Sequence, residues 1–147
     1  MNRILVIFIA ILLLIQLIRI DTTNKSTDNA MDFTVRSGAD ENISVMVRAA
    51  CYDCHSNETI YPWYAQIAPV SWWIGNHVNE GREHLNFSEW TAYDTEKQKH
   101  KLEECVEMIR AGEMPMKSFT WLHPEARLSD EQKQELIGFF NKLYEAL

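Results

Sequence analysis

The chain opens with an apolar run from Ile4 to Ile18, interrupted only by Gln16 and flanked by Arg3 and Arg19. A positive charge ahead of an apolar stretch is the pattern of an export signal or signal anchor. The run falls slightly short of the roughly 20 residues that span a bilayer core. No small-residue cleavage site follows Ile20, and bulky Ile and Leu continue to the end of the run. The pattern therefore predicts a retained N-terminal membrane helix over residues 1–20. Arg3 inside and Asp21 outside direct the rest of the chain outward. Residues 21–42 are rich in Thr, Asn, Ser and Asp without an apolar period, which predicts a flexible linker before a domain over residues 43–147.

Beyond the linker the apolar positions follow a helical period. Val47, Ala50, Cys51 and Cys54 predict a first helix over Ile43–Cys54, with Asn42 or Ser44 as its cap. Ser56–Ala68 contains Pro62 and reads as an aromatic loop. Pro69 suits the first position of a second helix, in which Val70, Trp73, Ile74 and His77 share a face and Gly81 ends the run. Asn86–Trp90 reads as a turn with two aromatic anchors. Leu102, Cys105, Val106 and Ile109 mark a third helix over Thr95–Ala111, stopped by Gly112. Glu113–Leu128, with Pro115 and Pro124, reads as an irregular loop. Ser129-Asp130-Glu131-Gln132 is a capping box that opens a final helix with Leu136, Phe140, Leu143 and Leu147 on one face. No alternating strand pattern occurs. The expectation is an all-α domain of about four helices.

Composition narrows the function. A net charge of −7 argues against nucleic acid and against a broadly basic membrane-binding face. Three cysteines without a second pair argue against a disulfide framework. Cys105 stands alone on an apolar helical stripe and reads as a buried free thiol. The five Trp, five Tyr and six Phe suit a core packed against a flat macrocycle.

Cys51-Tyr52-Asp53-Cys54-His55 has the C-x-x-C-H spacing of haem c attachment. In that chemistry each thiol adds to one haem vinyl group. The adjacent imidazole is then held over the same macrocycle, where it ligates the iron. A redox C-x-x-C expects a βαβ context, and a zinc site expects a second ligand pair; the sequence offers neither. The expected cofactor is one covalently attached haem c per chain.

The stretches Cys51-Tyr-Asp-Cys-His-Ser-Asn, Tyr61-Pro-Trp-Tyr, Ala68-Pro-Val-Ser-Trp-Trp, Glu80-Gly-Arg-Glu-His-Leu-Asn-Phe-Ser-Glu-Trp90, Gly112-Glu-Met-Pro and Leu122-His-Pro-Glu-Ala-Arg-Leu-Ser129 resemble a bacterial haem-binding domain family. That family is known mainly as a c-type cytochrome domain, and the resemblance implies a small cytochrome c-like fold around haem. Met114 is the first candidate for the second axial ligand, because common monohaem cytochromes present a Met from the loop before the last helix. His77 is the alternative, followed by His84, His123 and Met116, and a vacant position is also open. His100 lies in a charged run and is expected in solvent. The Pro69 carbonyl is a candidate acceptor for the His55 N–H, with Pro62 as the other option. The expected function is one-electron transfer at the outer face of a bacterial cytoplasmic membrane, to an unidentified redox partner protein and without enzymatic chemistry. A haem-based sensor is the alternative, and a peroxidase-like enzyme ranks third.

Overall fold

A computed structural model describes residues 2–147. The described residues form seven α-helices and three short 3-10 turns, with no strand. The helices are α1 (Arg3–Ile15), α2 (Phe33–Arg36), α3 (Glu41–His55), α4 (Val70–His84), α5 (Thr95–Ala111), α6 (Lys117–Leu122) and α7 (Asp130–Ala146). The all-α expectation holds, and the helix count exceeds it because α2 and α6 are too short to show a sequence period.

Local chemistry sets the best-defined boundaries. Asp94 caps α5 by accepting from the Lys97 N–H, and Gly112 ends it in the left-handed region at φ 69°. Ser129 and Gln132 form the anticipated capping box at the start of α7. The α3 cap is Asp40, which accepts from the Ile43 N–H, rather than Asn42 or Ser44. The helix therefore starts before its apolar pattern does.

The expected linker over 21–42 needs correction in its second half. Phe33 is fully buried and lies 4.9 Å from the rings of both Phe87 and Trp90. Asp32, also buried, accepts from the Thr34 N–H and from the Tyr52 hydroxyl. This stretch is one wall of the core. The rest of that core comes from Ile43, Met46 and Val47 of α3, Leu102, Val106 and Ile109 of α5, and Leu136, Ile137 and Phe140 of α7.

The expected membrane-spanning helix is not formed. No described helix is long and apolar enough to cross a membrane. The 13 residues of α1 reach only about 20 Å, against a hydrocarbon core of about 30 Å. None of its residues is buried. The chain just after it is tied to the domain: Gln16 makes two hydrogen bonds with the Ala68 backbone, and the Trp72 indole N–H donates to the Ile18 carbonyl.

Helix α4 runs one turn past Gly81 to His84, and its buried residues are Ser71, Gly75, Val78 and Gly81. The apolar stripe Val70–Trp73–Ile74–His77 faces elsewhere, with Val70 and Trp73 exposed. Two glycines allow close packing on that face: Gly81 lies against α3, and Gly75 against the Ile20 side chain. A Cβ added at Gly81 would stand 2.5 Å from the Cys54 carbonyl oxygen.

Candidate functional site

The last turn of α3 carries the motif. Four residues apart, Cys51 and His55 share one helical face and line a cavity of about 330 Å³. Ala50, Leu85, Phe87, Ile109 and Phe140 make its apolar wall. Met114 and Met108 also line it, as do Cys105, His84, Lys101 and Glu104. Cys54 turns toward a separate pocket on another side of α3, together with Trp73, His77, Met116 and His123.

The His55 ring is oriented by backbone. Its Nδ1 lies 2.9 Å from the Gly81 carbonyl and 3.2 Å from that of Leu85. Carbonyl oxygens only accept, so the proton sits on Nδ1 and Nε2 keeps its lone pair. Burial lowers the His55 pKa and outweighs the two carbonyls, which raise it. The ring is held neutral with one nitrogen free, the form that binds a metal.

The loop after the motif is locked by buried polar groups. The Asn57 N–H donates to Ser88 Oγ, and Asn86 Nδ2 donates to Asn57 Oδ1. Arg82 donates to the Ser56 carbonyl and to Thr59 Oγ1. These contacts fix the end of α3 against the end of α4, where the His55 acceptors lie. Sequence periodicity missed Gly81, Arg82, Asn86 and Ser88 as parts of the site. Their signal was the run from Glu80 to Trp90 that carried the family resemblance.

Of the axial candidates, the cavity brings Met114 and His84 together with His55. His77 is excluded from it: the ring packs 4.2 Å from Trp73, Nδ1 lies 2.8 Å from the Trp73 carbonyl, and the side chain lines the other pocket. His123 and Met116 line that second pocket too, and His123 Nε2 lies 2.6 Å from the Tyr64 hydroxyl. Pro69 does not serve His55. Its carbonyl accepts from the Trp72 and Trp73 N–H groups at the start of α4. Pro62 is engaged likewise, by the Ala65 N–H. His100 is exposed and pairs with Glu104. Cys105 lines the cavity wall, and its surroundings push the thiol pKa up.

The cavity fits a haem: its walls are largely apolar, an imidazole with a free nitrogen lines it beside Cys51, and a thioether stands on another part of the wall. Comparison with known families points the same way. The family described as haem-binding domain matches residues 10–142. Searches of curated proteins and of solved structures returned no match.

Proposed function

The chain belongs to the haem-binding domain family, and from that premise we propose that it is a monohaem c-type cytochrome that transfers single electrons. Cys51, on the cavity, would form one thioether bond to the haem, Cys54 would have to turn out of its own pocket to form the second, His55 Nε2 would ligate the iron, and Met114 would supply a further ligand. Bound haem supplies a reversible one-electron couple at iron. The residues do the rest. The Gly81 and Leu85 carbonyls fix the imidazole tautomer, and the apolar wall from α3, α5 and α7 keeps water away. Lys101, Glu104 and exposed His84 mark the polar edge of the cavity. The observation that carries this reading is the placement of His55 and Met114 on one cavity. Haem c is attached outside the cytoplasm, so the domain would sit on the outer side of the bacterial membrane, associated with it through α1 and passing electrons to a partner protein.

Absorption spectra of the haem-loaded chain test the assignment. Met–His ligation gives a weak band near the red end of the oxidised spectrum. That band is expected to vanish in Met114→Ala and to survive in His84→Ala and Met108→Ala. Loss of the band in His84→Ala alone would reassign the ligand. Ready carbon monoxide binding to the unaltered protein would favour a sensor over a carrier.

A further inference from the structure

Exposed large apolar side chains outside α1 are concentrated on one side of the domain. Trp63, Ile67, Val70, Trp73, Trp121 and Leu122 come from the 3-10 turn at Trp63–Gln66, the start of α4, and α6. Trp63 and Trp121 are 76% and 77% exposed. Val70, Trp73 and Leu122 share the rim of the second pocket, whose wall also includes Tyr64 and Phe119. The same side receives the segment after α1, through Gln16 on Ala68 and Ile18 on Trp72. A patch of this kind on a small domain marks an interaction surface.

We propose that this aromatic face lies on a phospholipid bilayer with anionic headgroups and forms one continuous lipid-facing surface with α1. The proposal rests on the membrane association given under Proposed function and extends it to an orientation of the domain. Three observations select lipid over a protein partner. Helix α1 is apolar around its whole circumference and exposed on all sides, which suits a lipid environment rather than a single groove. Exposed tryptophans at the end of an apolar helix match the aromatic belt of the membrane–water interface. Charge is sorted as well. Residues 1–20, 59–75 and 117–122 contain Arg3, Arg19 and Lys117 and no acidic residue, and Asp53 is the one carboxylate among the residues lining the second pocket. The whole-chain charge of −7 hides this local cationic balance. Because α1 is too short to span the bilayer, the face adds interfacial area that the helix alone lacks.

The test uses the full haem-loaded chain and phosphatidylcholine–phosphatidylglycerol vesicles, with acyl chains brominated near the headgroup or left plain. The ratio of tryptophan fluorescence between the two vesicle types cancels quenching by groups inside the protein. Bromination is expected to quench the unaltered chain at least about twofold more than the W63F/W73F/W121F variant, which keeps only the half-buried Trp72 at the α1 junction and the buried Trp90. Equal quenching of both proteins, each sedimenting with vesicles, overturns the proposal while membrane association stands. Failure of the unaltered chain to sediment with vesicles overturns both, whereas failure of the variant alone supports the proposal. A detergent-solubilised dimer that dissociates in W63E/W121E would assign the face to a second copy and also overturn it.

Discussion

His55 has its tautomer fixed by two main-chain oxygens, and Gly81 supplies the nearer one because no side chain keeps α4 away from α3. Gly81→Ala would force a Cβ toward the Cys54 carbonyl. The helices must separate, at a cost of about 1–3 kcal/mol. The expected outcome is a lower urea midpoint and a reduced haem-to-protein ratio in purified protein. The cysteines give a stoichiometric check. Three thiols are free without haem, and two thioether bonds leave only Cys105. Burial raises the Cys105 pKa, which keeps the group a protonated thiol at pH 8 and thus a poor nucleophile. Alkylation with iodoacetamide at that pH should label the native loaded protein hardly at all. After denaturation it should label one cysteine in the loaded protein and three in the haem-free chain. Two labelled cysteines in the denatured loaded protein would mean a single thioether.

At the scale of elements, the short α2 segment has a larger role than its four residues suggest. Phe33 is a fully buried aromatic hub, so Phe33→Ala is expected to destabilise by about 3–5 kcal/mol in a urea titration. Asp32→Ala strips the acceptor from the buried Tyr52 hydroxyl and is expected to cost about 1–3 kcal/mol. Neither residue stood out in the sequence, because one phenylalanine in a polar stretch has no period to betray it. Helices α5 and α7 were legible for the opposite reason: Gly112 and the Ser129–Gln132 box are local signals that act within one turn. Helix α4 shows the limit of reading faces by hydrophobicity. Its stripe of Val70, Trp73, Ile74 and His77 suggested an inward histidine, yet the buried face includes Ser71, Gly75 and Gly81, which no apolar ranking selects. The C-x-x-C-H spacing was readable because it lies within adjacent residues, but not that Cys54 faces a different pocket from Cys51 and His55. The His55 acceptors were not, since they come from a helix end about 26 residues away, reached only in the folded chain.

The whole molecule separates its charge from its apolar surface. Acidic residues dominate the chain outside the α1 segment and the aromatic face, giving the net charge of −7. A basic redox partner should therefore reduce or oxidise the protein faster than an acidic one at low ionic strength. Stopped-flow rates with the basic partner should fall as salt is added, because screening shortens the reach of the field. Rates unaffected by salt would remove electrostatic steering from the account. The two carbonyls at the end of α4 have a further consequence for how such a protein can be tuned. An acceptor on a side chain can be replaced by a single codon change, and imidazole basicity with it. Main-chain oxygens offer no such handle: every residue type at position 81 or 85 still presents one. The electron donation that His55 can offer a metal is thus inherited from the placement of a helix terminus. Retuning by that route would require the architecture to shift, whereas the exchangeable side chains that line the same cavity at Met108 and Met114 remain open to variation.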